Sequence, residues 1–167
     1  LTELAAAAPP FSARISLDHA PFLAPGDMPA RINDYLRATG QPPLTEKGRI
    51  IRTILEGLAF TYRSTLDALR QISGREVAVL HIVGGGTQNE LLSQFAADAT
   101  GIPVLAGPVE ATSAGNVLIQ ARAAGDVASL AELRAVVRAS FPLRRFTPQS
   151  AEAWAIRGNE DTSRPAG

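Results

Sequence analysis

Three consecutive glycines, Gly84, Gly85 and Gly86, stand between a run suited to a buried strand and a run suited to a helix. No other feature constrains the chain as tightly. Residues 77–83 (Val-Ala-Val-Leu-His-Ile-Val) are β-branched and nearly all apolar, which predicts a strand covered on both faces. Leu91, Leu92, Phe95 and Ala99 then recur at helical spacing, and Gly101 stands where a helix stops. A glycine turn joining two such elements lets the backbone approach a ligand closely. It also leaves the helix N-terminus free to offer N–H groups to an electron-rich partner. The junction reads as one wall of a nucleotide site.

Other readings of the triplet stay open on these residues alone. No Gly-x-x-x-x-Gly-Lys-Ser/Thr occurs in the chain, so the turn is not a P-loop. A dinucleotide fingerprint lacks its third spaced glycine here, although Glu110 lies near where that motif wants an acid. A turn used only for tight strand-to-helix packing is the remaining alternative.

The flanking sequence predicts the rest of the elements. Residues 1–8 form a short alanine-rich apolar stretch that opens like the middle of a helix, closed by Pro9 and Pro10. Residues 21–29 read as a turn-rich connector, and Asp27 can cap a helix through Leu36, with Gly40 past its end. Thr45 is the expected cap of a long helix to about Ile72, roughly 27 residues and about 40 Å. Apolar residues at 51, 54, 55, 58, 62, 66 and 69 hold one face of it. Glu46, Lys47, Arg49, Arg52 and Glu56 are expected on its wet face. Gly57 costs that helix about 1 kcal/mol against alanine, tolerable if another backbone packs there.

Residues 102–106 predict a second short strand, 107–112 a loop, and Ser113 to Gly125 a helix of small residues. Ser129 and Glu132 form a capping box for a helix ending before Pro142. Thr147-Pro148 starts a last helix carrying Trp154 and Ile156, and the polar tail 158–167 is expected to fray. His81 is expected as a core histidine, and His19, in a loop beside Asp18, makes no metal motif with it. Glu110 and Thr112 are expected to cap or brace the following helix, and Arg144-Arg145 to form a basic surface or domain contact.

Composition narrows the function classes. The 16 basic and 16 acidic residues cancel, so electrostatics give no sign of a nucleic-acid partner. With no cysteine the chain has no disulfide or thiolate metal site, which suits the cytoplasm. No apolar run approaches a membrane span and no signal-peptide pattern is visible. The order helix, strand, helix, strand, helix is half of an α/β domain. Two strands make a poor covered sheet, so further strands from an upstream segment or a partner are expected.

Four stretches carry a specific resemblance: 81–89 (His-Ile-Val-Gly-Gly-Gly-Thr-Gln-Asn), 97–102 (Ala-Asp-Ala-Thr-Gly-Ile), 106–112 (Ala-Gly-Pro-Val-Glu-Ala-Thr) and 115–120 (Gly-Asn-Val-Leu-Ile-Gln). On these, residues 22–148 resemble the C-terminal part of the FGGY family of carbohydrate kinases. The His-Ile-Val preface and the Gly-Pro-Val-Glu-Ala segment point to the branch that acts on L-rhamnulose.

The resemblance implies part of an actin-like, ribonuclease H-like ATPase domain. Residues 1–157 would be a partial C-terminal lobe, with ATP and a ketose bound between it and a missing N-terminal lobe. It implies transfer of the γ-phosphoryl of ATP, with Mg²⁺, to the ketose 1-hydroxyl. The implied ATP-binding residues are Gly85 by backbone contact, Gly84 and Gly86 shaping the turn, Asn89 through its amide, and Gln88 more weakly. Any Cβ at 84 or 86 would push against the ligand.

The family's aspartate base and phosphate hairpins lie upstream of the matched segment. No Asp-x-Gly-Thr occurs here, and none of Asp18, Asp27, Asp34, Asp67, Asp98, Asp126 and Asp161 matches the base. The chain is therefore expected to hold no catalytic or metal-binding residue and to be inactive alone. Two alternatives remain at this point: a non-catalytic actin-like remnant serving as an interaction module, and a nicotinamide-binding module.

Overall fold

The computed structural model describes residues 1–159. The elements, in order, are α1 (Thr2–Ala7), α2 (Met28–Ala38), α3 (Lys47–Ser73), β1 (Leu80–Ile82), α4 (Glu90–Thr100), β2 (Val104–Ala106), α5 (Ala111–Ala124), α6 (Leu130–Ser140), β3 (Arg144–Phe146) and α7 (Ala151–Asn159). The sheet has the order β1-β2-β3. β1 runs parallel to β2, with Leu80 opposite Val104, and β3 runs antiparallel to β2, with Phe146 opposite Val104.

The expected strand at 77–83 shortens to three residues, and the strand expected at 102–106 to three as well. The third strand, β3, was not anticipated: Arg144 and Arg145, expected as a basic surface, are ladder residues opposite Ala106 and Leu105. Such a short, polar strand has no hydrophobic alternation of its own. It exists because β2 offers an unpaired edge.

Only one face of this sheet is covered among the described residues. Leu80, Ile82, Val104 and Phe146 pack with Ala96, Ala97 and Tyr62, which puts α4 and α3 over that face. Strand alternation sends His81, Leu105 and Arg145, aligned in one cross-strand row, to the other face. There His81 and Val83 are exposed. This corrects the expectation of a strand covered on both faces and of a core histidine.

Helix ends follow local chemistry. Asp27 accepts from the Ala30 N–H at 3.1 Å to start α2, and Ser129 accepts from the Glu132 N–H at 3.2 Å to start α6. Gly74, Gly101 and Gly125 close α3, α4 and α5 in the left-handed conformation. The long helix departs from expectation at its start. Its N-cap position is Glu46 rather than Thr45, with no side-chain cap bond. The reason is upstream: Asn33 holds Leu44 through both its backbone groups, N–H to Oδ1 at 2.7 Å and Nδ2–H to carbonyl at 2.9 Å. Leu44 is thus held against α2, and the chain stays extended through Glu46 (φ −84°, ψ 126°) before the first helical residue.

Nor is the charged face of α3 wholly wet. Glu56 is only 2% exposed. It accepts from the Phe11 N–H at 3.1 Å and from Arg52 Nε at 2.8 Å, while Arg52 also donates to the carbonyls of Ala5, Ala6 and Ala8. The buried pair thus satisfies the C-terminal end of α1 and pins the N-terminal segment across α3. Gly48 and Gly57 make room for that crossing. A Cβ on Gly48 would lie 2.5 Å from the Leu4 carbonyl oxygen, and one on Gly57 would lie 3.2 Å from Ile15 Cγ1. Backbone does pack at Gly57, as its place inside a helix required.

The last helix starts at Ala151 rather than at Thr147-Pro148. Buried Asp98 on α4 holds its first turn, accepting from the Gln149 N–H (2.5 Å), the Ser150 N–H (3.2 Å) and Ser150 Oγ (2.9 Å). Trp154 then fills the junction of Phe11, Phe60 and Phe95, with ring centroids 4.9–5.3 Å away. The helix runs past 157, to Asn159, and the tail beyond it, expected to fray, lies outside the described residues.

Candidate functional site

The three glycines continue β1 into a tight turn. Gly84 has φ 78° and ψ −164°, a conformation open only to glycine, and its N–H donates to the Pro108 carbonyl at 3.0 Å. Gly107 N–H donates back to the Ile82 carbonyl at 2.9 Å, so the turn and the 107–110 segment lie side by side. A 3₁₀ turn over Gly85–Gln88 follows, and α4 starts only at Glu90. The expected direct passage from glycines into the helix is thereby corrected.

The helix N-terminus is also less open than expected. Asn89 is its N-cap, and Oδ1 accepts from the Leu92 N–H at 3.1 Å. The Nδ2 amide makes no hydrogen bond among the described residues and remains a donor beside the turn. Thr87, which sequence reasoning passed over, is buried, and its N–H (3.1 Å) and hydroxyl (2.7 Å) both donate to the Gly84 carbonyl. A threonine three residues after a glycine in a turn was the available signal.

What the glycines leave open matters more than what they touch. A Cβ built on Gly84 or Gly85 meets no atom within 4 Å, and one on Gly86 meets only Ile82 Cγ2, at an ordinary 3.8 Å. Gly84 is needed for its dihedral angles, but Gly85 has neither a positive φ nor a close neighbour. Tight internal packing therefore does not account for Gly85. Its lack of a side chain leaves room for something outside the described residues. By contrast, Gly107 is internally required, because a Cβ there would sit 2.9 Å from the Pro142 carbonyl oxygen.

The remaining candidates fall away from the turn or take other work. Gln88 is exposed, with no hydrogen bond from its side chain among the described residues. Glu110 occupies the N-cap position of α5 but makes no capping bond, and Thr112 is exposed in its first turn. Arg144 pairs with Glu90 across β3 and α4, which raises the Arg144 pKa and holds the Glu90 carboxyl below the usual range. His19 stacks edge-on against Phe22 and Tyr35, at 5.1 and 5.0 Å. Among the described residues no three His, Asp or Glu side chains are grouped as a metal site, and no helix is long and apolar enough to cross a membrane.

Comparison with known proteins adds to this geometry. The sequence profile of the FGGY family of carbohydrate kinases, C-terminal domain, matches residues 1–124. The rhamnulokinase of Bacteroides thetaiotaomicron is 46% identical over 145 residues, which cover 87% of this chain and 30% of that protein. The rhamnulokinase of Bacillus subtilis is 39% identical over 156 residues, covering 93% of this chain and 32% of its own length. The chain thus spans a minor part, 30–32%, of these relatives.

Among solved structures, a xylulose kinase from Rhodospirillum rubrum superposes with a TM-score of 0.63 at 21% identity, over 97% of this chain and 32% of that one. A Plasmodium falciparum glycerol kinase, solved with ADP, gives 0.56 at 25% identity, over 73% of this chain and 26% of that one. The fold is that of part of the C-terminal domain of an actin-like ATPase.

Proposed function

This chain belongs to the FGGY family of carbohydrate kinases, and from that premise we propose that it is the adenosine-binding part of an ATP-dependent kinase for L-rhamnulose. The observation that carries the reading is Gly85, a glycine with no internal reason to be one, at the end of β1 beside the unpaired amide of Asn89. A backbone bare of Cβ accepts the flat face or edge of a base, and the Asn89 Nδ2–H supplies a donor for a ring nitrogen. Gly84 sets the path of the turn through its dihedral angles, Gly86 keeps the turn bare beside Gly85, and Gln88 lines its solvent side. The sugar assignment rests on the 39–46% identity to rhamnulokinases.

In this reading the whole enzyme moves the γ-phosphoryl group of ATP to the ketose 1-hydroxyl. Phosphoryl transfer depends mainly on positioning and charge stabilisation, and closing two lobes keeps water from competing with the sugar. This chain supplies the positioning at the nucleoside end. The base, the phosphate hairpins and the ligands of Mg²⁺ belong to upstream sequence in this reading, and four of the described aspartates have other work: Asp98 holds α7, Asp27 caps α2, and Asp34 and Asp67 pair with neighbouring arginines. The bare sheet face and helix α5, where Val117 and Ile119 are 64% and 57% exposed, are the surfaces that upstream sequence would cover. The enzyme would work in the cytoplasm, where ATP and the free ketose meet.

The test is ADP release by the protein carrying its full upstream sequence, with Mg-ATP and a panel of ketoses. L-Rhamnulose should be preferred, Gly85→Val should abolish turnover, and residues 1–167 alone should show none. Preference for another ketose would discard the sugar assignment. A folded full-length protein without sugar-dependent turnover would make the chain a non-catalytic actin-like module.

A further inference from the structure

Thr87 does two things at the glycine turn that its neighbours do not. It is only 5% exposed in a turn whose other residues face solvent or are half-buried, and both its donors converge on the Gly84 carbonyl, Oγ1 at 2.7 Å and N at 3.1 Å. That carbonyl belongs to the Gly84–Gly85 peptide, which is trans. In a planar trans peptide the C=O and the N–H point in opposite directions. Drawing the Gly84 oxygen in toward Thr87 therefore turns the Gly85 N–H outward, into the space left open at Gly85.

This peptide also has little to hold it besides Thr87. It lies between two glycines, so neither flanking residue has a side chain to anchor it, and glycine's wide range of dihedral angles admits the flipped orientation as well. A flipped peptide would present a carbonyl oxygen where an electron-rich ligand needs a donor. The Gly84 N–H is already tied to the Pro108 carbonyl, which fixes the preceding peptide but leaves this one to Thr87.

We propose that Thr87 is a positioning residue for the nucleotide, holding the Gly84–Gly85 peptide so that the Gly85 N–H faces the bound base. The role rests on the nucleotide reading of the turn. It adds that donor direction at Gly85 is set by a side-chain hydroxyl rather than by glycine geometry alone. Thr87→Val keeps the size of the side chain and the backbone bond to Gly84 while removing the hydroxyl bond. Thr87→Ser keeps that bond.

The experiment uses the full-length protein and two readouts: the Kd for Mg-ATP by calorimetry and the KM for L-rhamnulose at saturating ATP. Thr87→Val should weaken ATP about three- to tenfold, as loss of one net hydrogen bond allows. The sugar KM should not move, and Thr87→Ser should bind ATP like the parent. A merely structural role would lower the active fraction without this split. The proposal is overturned if Thr87→Val binds ATP normally while Gly85→Val does not, if both constants shift together, or if Thr87→Ser behaves like Thr87→Val. Normal ATP binding by Gly85→Val would instead remove the nucleotide reading, and the role of Thr87 with it. If Thr87→Val does not fold, Thr87→Ala is judged by the same criteria.

Discussion

Asn89 is assigned two jobs that a pair of substitutions can separate. Its Oδ1 caps α4 by accepting from the Leu92 N–H at 3.1 Å, and its Nδ2, which makes no hydrogen bond among the described residues, is the donor proposed for the nucleotide. Aspartate and serine are as good at the N-cap as asparagine, whereas alanine at such a site costs about 1 kcal/mol. Asn89→Asp should therefore unfold in urea within a few tenths of a kcal/mol of the parent, helped by a carboxylate at the positive end of the helix. Asn89→Ala should lose about 1 kcal/mol.

For ATP the order changes. Removing one neutral hydrogen bond is worth roughly 0.5–1.5 kcal/mol, so Asn89→Ala should weaken ATP about two- to twelvefold. Asn89→Asp replaces the donor by an anionic acceptor facing the ring's lone pairs, and its loss should be on the order of tenfold or more. Calorimetric titration of ATP into the full-length variants, beside urea midpoints, reads both. An Asn89→Asp protein that keeps both parental stability and parental ATP affinity would show that the amide faces no nucleotide. Equal destabilisation by aspartate and alanine would remove the cap.

Two further outcomes follow from buried charge. Asp98→Ala leaves the Gln149 and Ser150 donors without their acceptor, so it should destabilise by about 2–4 kcal/mol and speed hydrogen exchange in 149–159 ahead of the rest; unchanged exchange there would show that α7 does not depend on it. Burial raises the Glu56 pKa above its ordinary 4.5, against the opposing pull of the Phe11 N–H and of Arg52. A raised folded-state pKa means that its stabilising contribution is full below the ordinary 4.5 and is lost as pH rises from there through the higher folded-state value. Glu56→Gln has no such titration, so its urea midpoint relative to the parent should improve as pH rises from below 4.5 toward neutrality. A constant gap would refute the shift.

What could be read in the sequence was local. The glycine turn, the caps at Asp27 and Ser129, and the stops at Gly74, Gly101 and Gly125 each depend on residues within one turn of themselves. Their dihedral preferences and side-chain acceptors fix the backbone whatever packs around it. The proposed nucleotide role of 84–86 rests on a signal of the same local kind, a pattern confined to nine residues, together with a family resemblance.

The tertiary structure decided everything whose environment is supplied from far along the chain. Arg52 and Glu56 have the composition of a wet face, but the segment around Phe11, 45 residues away, covers them. His81 has the composition of a core residue, yet no described element covers its face of the sheet. β3 carries no strand signal and forms only because the edge of β2 has backbone groups to pair. Even Gly85 looked in the sequence like its two neighbours. In the fold they separate: Gly84 needs its own dihedral angles, whereas Gly85 has no positive φ and a Cβ there would meet no described atom within 4 Å. Conformational preference belongs to a residue and its immediate neighbours, while burial and empty space are properties of what the rest of the chain brings to it.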